Sequence, residues 1–135
     1  MIVDSSALVA LIMAERSARA VLDALEAHHG CAVGAPALLE TAMVLAGRRV
    51  GGAPQAEADL ARVVTRFEIA IVSFSAEHWQ SAWAAFVHFG KGRHPAALNF
   101  GDCLTYAVAK LSGQPILCVG DDFAQTDLEL VPLPA

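Results

Sequence analysis

The sequence predicts an α/β fold in which a short parallel sheet is covered by helices on both faces. Three observations predict it. Short apolar runs alternate with helix-length segments along the whole chain. Those runs are continuously apolar rather than alternating in polarity, which is how strands buried on both faces read. Capping and turn residues fall at the junctions between the two kinds of segment. In such open sheets, ligands bind beyond the carboxyl ends of the strands.

Taken in order, Ile2 to Asp4 reads as the first strand, and Ser5 or Ser6 starts a helix running through Ala14. Ser17 opens a second helix to about Ala27, closed by His28-His29-Gly30, with Gly suited to the position after a helix. Cys31 to Val33 is a strand. Pro36 suits the first turn of the next helix, which runs to Ala46, with Gly47 able to end it. Gly51-Gly52-Ala53-Pro54 is a turn before a helix over about Gln55 to Arg66, and Ile69 to Val72 is a strand. Ser75 caps a helix to about Phe89. Gly90 to Ala97, with two glycines and a proline, is a loop. Asn99 caps the helix Phe100 to Leu111, and Gly113-Gln114-Pro115 turns into the strand Ile116 to Val119. Asp121 to Gln125 reads as a short helical turn, followed by a short strand near Leu128 to Val131.

With 135 residues, no repeat and no linker, the chain reads as one domain over residues 1–135, long enough to bury a core. It is 56% hydrophobic with a mean hydropathy of +0.49, yet no apolar stretch approaches the roughly 18–20 residues of a membrane span. No secretory leader is legible, so a cytoplasmic protein without a membrane partner is expected. The apolar excess is expected to form a core plus a partner interface. The net charge of −5 argues against nucleic-acid binding through overall charge, but not against a nuclease with a local acidic site and a basic rim. Cys31, Cys103 and Cys118 stand apart in apolar contexts, which reads as buried thiols rather than zinc ligands or disulfides.

The chemistry lies in scattered acids. Asp4 ends the first apolar run, Glu40 interrupts the apolar segment Pro36 to Ala46, Asp102 opens another apolar run, and Asp121 and Asp122 follow Ile116 to Gly120. Asp4, Asp121 and Asp122 each have a plain alternative role as a helix cap, and Asp102 can close a capping box with Asn99. Glu40 does not. Its helix is apolar on nearly every face and so should be buried on nearly every face, and no Lys or Arg lies within one turn. A buried carboxylate without a partner is costly. Several converging carboxylates repel one another and raise their pKa values, and a hard cation relieves this. An oxygen-only ligand set favours Mg²⁺ or Mn²⁺ over zinc.

At these residues the chain resembles the PIN-domain family, and within it the VapC toxins of bacterial toxin–antitoxin pairs. The resemblance is carried by the opening Ile2-Val3-Asp4-Ser5-Ser6-Ala7-Leu8, by Leu38-Leu39-Glu40, by Gly90 to Cys103 and by Gly120 to Leu128. It implies a three-layer α/β/α sandwich around a short parallel sheet. It also implies an endoribonuclease dependent on Mg²⁺, for which Mn²⁺ can substitute, that hydrolyses RNA with a metal-activated water. Asp4, Glu40, Asp102 and Asp122 map onto the family's acidic site as catalytic and metal-binding residues. Asp121 is a secondary member of the metal set. Ser6 and Asn99 are supporting residues, and Lys91, Arg93 and His94 are expected to contact RNA phosphates.

The implied partners are RNA, a cognate VapB-like antitoxin and a second copy of the chain in a homodimer. The two helices from Ser5 to Ala27, rich in exposed-looking Ala, Leu and Val, are expected to offer the antitoxin groove. His28, His29, His78 and His88 show no ligand spacing, and Trp79, Trp83 and Phe86 at helical spacing read as core or interface. A haloacid-dehalogenase-type phosphotransferase would need a second Asp two residues after Asp4, where Ser6 stands. The remaining alternative is a PIN-like binding module that cuts nothing.

Overall fold

The computed structural model describes residues 1–134. Strands β1 (Ile2–Val3), β2 (Ala32–Gly34), β3 (Ala70–Val72) and β4 (Ile116–Leu117) form a sheet in the order β3-β2-β1-β4, with every pair parallel. Helices α1 (Ser5–Ile12), α2 (Ala18–Ala27), α3 (Ala35–Arg48), α4 (Gly52–Arg66), α5 (Ala76–Phe89) and α6 (Phe100–Ser112) make the connections. Chain order runs outward from β1 through β2 to β3, and β4 then joins on the other side of β1. The strand order therefore reverses between β1 and β4, where an open α/β sheet has its crevice.

Alternation along the strands divides the core in two. Ile2, Ala32 and Ile116 pack with Cys103, Tyr106, Ala107 and Val108 of α6 and with Ala82 and Ala85 of α5. Val3, Val33 and Leu117 pack on the other face with Ala7 and Leu8 of α1 and Val21 and Leu25 of α2. This is the expected three-layer sandwich. A smaller cluster of Leu45, Ala56 and Leu60 holds α3 against α4. The turn between those helices is fixed by the buried Asp59, which accepts hydrogen bonds from Arg49 Nε and Gln55 Nε2, both at 2.9 Å.

Several boundaries differ from the sequence reading, each for a local reason. Strand β4 stops at Leu117 because Val119 N–H donates to Ser6 Oγ (3.0 Å) instead of to a neighbouring strand. The strand expected over Leu128 to Val131 reduces to one bridge, Ile116 with Leu130. Asp121 to Gln125 is the expected short turn, closed by Ala124 N–H to Asp121 O (3.2 Å), and it does not extend into a helix. Helix α3 runs through Gly47 to Arg48, and α1 ends at Ile12, after which Ala14 takes a φ of 53°. Cys31, Cys103 and Cys118 are free and buried, as expected.

Two surface expectations are corrected. The Ala, Leu and Val residues of α1 and α2 are largely core, with Ala7, Leu8, Val9, Ala10, Val21 and Leu25 all buried. Helix α3 is not buried on every face, since Leu39 and Met43 are 62% and 67% exposed. Together with Trp79, Trp83 and Phe100 they line an apolar groove of about 1220 Å³ between α3, α5 and the start of α6. Trp79 and Trp83 are therefore surface rather than core residues.

Candidate active site

The turn from β1 into α1 places the first acid. Asp4 is 5% exposed and caps α1, with Oδ2 accepting from Ser6 N–H (3.1 Å) and from Ser6 Oγ (2.6 Å). The Ser6 hydroxyl oxygen in turn accepts from Val119 N–H. One serine thereby ties the end of β1 to the segment leaving β4. The reading of Asp4 as a helix cap is correct, and it leaves Oδ1 without a hydrogen bond among the described residues.

Asp102 follows the same rule. Asn99 and Asp102 form a reciprocal capping box at the start of α6: Asn99 N–H donates to Asp102 Oδ2 (3.0 Å), and Asp102 N–H donates to Asn99 Oδ1 (2.9 Å). Such a box satisfies two helix-end donors and fixes the carboxylate's orientation. Asp102 is 9% exposed. Burial foremost, and then the charges of Asp122, Asp4 and Glu40, push its pKa up to about 6 against the opposing pull of the Asn99 N–H.

Glu40 sits in the second turn of α3, half-buried, and its Oε1 accepts from Ser5 Oγ at 2.7 Å. Its carboxylate lies against Gly101 so closely that a Cβ at that position would collide with it. Ser5 and Gly101 were not singled out from sequence. Ser5 carried a signal in its adjacency to Asp4, whereas Gly101 could be found only from the approach of α3 to α6.

Asp4, Ser5, Ser6, Glu40, Asn99, Asp102 and Asp122 line one cleft of about 380 Å³ at the β1/β4 reversal. Glu15 also lines it, and was not foreseen. Asp121 is exposed and does not line the cleft, although its charge reaches the Cys118 thiol. Burial first, then Asp4, Asp122, Asp102 and Asp121, push that thiol up to about 12, so it stays protonated and inert.

Lys91, Arg93 and His94 are not brought into the acidic cleft. Lys91 lines the apolar groove, which adjoins the cleft through Glu40, Val44 and Asn99. The Arg93 guanidinium lies 5.4 Å from the centre of the Phe86 ring, and His94 Nδ1 accepts from Ala96 N–H.

The donor set fits a hard divalent cation. Every candidate ligand is oxygen, and none of Asp4, Glu40, Asp102, Asp121 or Asp122 is in an ion pair with Lys or Arg among the described residues. The repulsion recorded in the Asp102 pKa is thus unrelieved by protein cations. Among the described residues, no group of three or more His, Cys, Asp or Glu side chains is gathered closely enough to hold a metal ion.

Comparison with known proteins agrees with this geometry. Residues 1–129 match the PIN domain family model. Ribonuclease VapC36 of Mycobacterium tuberculosis is 48% identical over 130 residues, covering 96% of this chain and 91% of that protein. Among solved structures, the chain is similar to the Mycobacterium tuberculosis VapC20 toxin, described as cleaving the sarcin-ricin loop, with a TM-score of 0.78, 20% identity and coverage of 96% and 97% of the two chains. It is also similar to a chain of a toxin–antitoxin complex from Klebsiella pneumoniae, with a TM-score of 0.71, 18% identity and coverage of 99% and 98%. VapC ribonucleases of this family are generally dependent on a divalent metal. The chain belongs to the PIN-domain family, within its VapC group.

Proposed function

We propose that the chain is an endoribonuclease toxin that uses Mg²⁺, with Mn²⁺ able to replace it, and that a VapB-like antitoxin silences it in the cytoplasm. The observation that carries this is the cleft itself: Asp4, Glu40, Asp102 and Asp122, from four separate chain segments, line one crevice, and none of these four is ion-paired with Lys or Arg among the described residues. The VapC relatives and the toxin–antitoxin structure support the substrate class and the kind of partner.

Asp4, Glu40, Asp102 and Asp122 would hold the cation, with Asp121 at the margin. When bound, the cation supplies positive charge against the phosphate and lowers the pKa of an attacking water. The chain's own residues set the geometry. Ser6 and the Asn99 box lock Asp4 and Asp102 through one oxygen each, leaving the other free for the cleft. Ser5 holds Glu40. Lys91, Arg93 and His94 lie on the loop leading into α6, and their role is to grip RNA phosphates flanking the cleft. The exposed aromatic groove between α3 and α5 is the surface for a second copy of the chain.

Inducing the chain without antitoxin should arrest growth, and Asp4→Asn should remove the arrest. Purified protein should cut RNA, and excess EDTA should stop it; equal cleavage in EDTA would exclude the metal mechanism. An intact wild-type protein that binds RNA but never cuts it would favour the binding-module alternative.

A further inference from the structure

Asp102, Tyr106 and Lys110 lie at successive four-residue steps on one side of α6. The first lines the acidic cleft. The other two meet at a single acid beyond it. Tyr106 Oη donates to Asp127 Oδ1 at 2.6 Å, and Lys110 Nζ donates to Asp127 Oδ2 at 2.6 Å. Asp127 does not line the cleft, and its charge is matched by Lys110.

The segment between is held at several points. Val119 N–H is fixed to Ser6 Oγ, and Gly120 then turns at a φ of 99°. Phe123 is 1% exposed, in the same core cluster as Cys103 and Tyr106. Thr126 Oγ1 donates to Phe123 O at 2.7 Å and accepts from Leu128 N–H at 3.3 Å. Asp122 itself is exposed and has no side-chain hydrogen bond among the described residues. Its position in the cleft therefore depends on the anchors to either side of it.

We infer that Asp127 is a positioning residue, clasped by Tyr106 and Lys110 so that the segment Gly120 to Thr126 presents Asp122 to the cleft shared with Asp102. This rests on the reading of Asp122 as a cation-binding acid. The clasp and Asp102 share one rigid helix, so the spacing of the two acids is set by α6 rather than by the loop. Lys110 and Asp127 are about half exposed, so the buried Tyr106 hydroxyl is the stronger half of the clasp.

Tyr106→Phe removes only a hydroxyl and should leave the chain folded. Mn²⁺ titrated into the full-length variant, purified free of antitoxin, should bind on the order of tenfold more weakly than to wild type. Backbone amides of residues 121–126 should exchange faster. In an Asp122→Asn background, Tyr106→Phe should cost no further Mn²⁺ affinity. Lys110→Met, on the exposed side, should act in the same direction more weakly, and it replaces Tyr106→Phe if that variant does not fold. Mn²⁺ affinity within twofold of wild type in the folded variant overturns the inference, even with a lowered Tm. An undiminished effect in the Asp122→Asn background overturns it as well. If wild type takes up no Mn²⁺, the cation reading fails separately, and unchanged amide protection then sinks the clasp on its own.

Discussion

Two of the acids do double duty through their two oxygens. In Asp4 and Asp102, Oδ2 builds the fold as a helix cap and Oδ1 stays free toward the cleft. Replacing Asp4 by Asn keeps a cap-competent oxygen while removing a charge, so RNA cleavage should fall by about a hundredfold or more, with stability changed by less than about 1 kcal/mol. Cleavage assays beside thermal melts separate the two. Asp102 has a pH signature. Its folded pKa of about 6 lies above the ordinary 3.8, so between those values the folded state binds more protons than the unfolded one. Its contribution to stability is full below pH 4 and is lost as pH rises through 6. In EDTA, Asp102→Asn should abolish that part of the pH dependence and make the protein about 1–3 kcal/mol more stable at pH 7.5; with Mg²⁺ present, the same variant should not cleave RNA. Denaturant melts at pH 4.5 and 7.5 read both effects.

At the scale of elements, the site depends on how closely α3 approaches the N-terminus of α6. Gly101 makes that approach possible, because any Cβ there would displace the Glu40 carboxylate. The atoms in the way are the end of a flexible side chain rather than backbone, so Gly101→Ala should fold with a Tm near wild type and shift Glu40 away from Ser5. Cleavage should fall by about tenfold or more, as expected for a misplaced active-site group. If activity stays at the wild-type level, the Glu40 position does not matter to the reaction. The Ser6 hydroxyl joins β1, α1 and the segment leaving β4. Ser6→Ala should lower stability by about 1–2 kcal/mol, read in urea melts, because Val119 N–H and Asp4 Oδ2 each lose a partner.

For the whole molecule, the apolar groove between α3, α5 and the start of α6 is the feature that bears on assembly. Trp79 and Trp83 are 57% and 55% exposed, beside Leu39 and Met43. A homodimer through this face should sediment at twice the chain mass, and Trp83→Glu should convert it to monomer without unfolding it. A wild-type monomer at micromolar concentration in analytical ultracentrifugation removes that assignment.

The order and type of nearly every helix and strand were legible in the sequence, because continuous apolar runs, cap residues and glycines act locally. So was the list of acids, since a carboxylate amid apolar residues stands out wherever it lies. The apolar content of α1 and α2 misled in one respect. Periodicity cannot say whether an Ala-rich helix packs inside or lies outside, and here both helices pack on the sheet. The surplus apolar surface went instead to α3 and α5.

The sequence by itself determined a parallel α/β chain with an oxygen-only acidic set, because composition and period are properties of neighbouring residues. Only the tertiary structure decided which acids meet. The strand-order reversal between β1 and β4 gathers Asp4, Glu40, Asp102 and Asp122 into one cleft, and Asp121 is not among the residues that line it. Contacts between residues far apart in the chain, Ser5 with Glu40, Ser6 with Val119 and Tyr106 with Asp127, are fixed by packing of whole elements. No local pattern encodes such contacts.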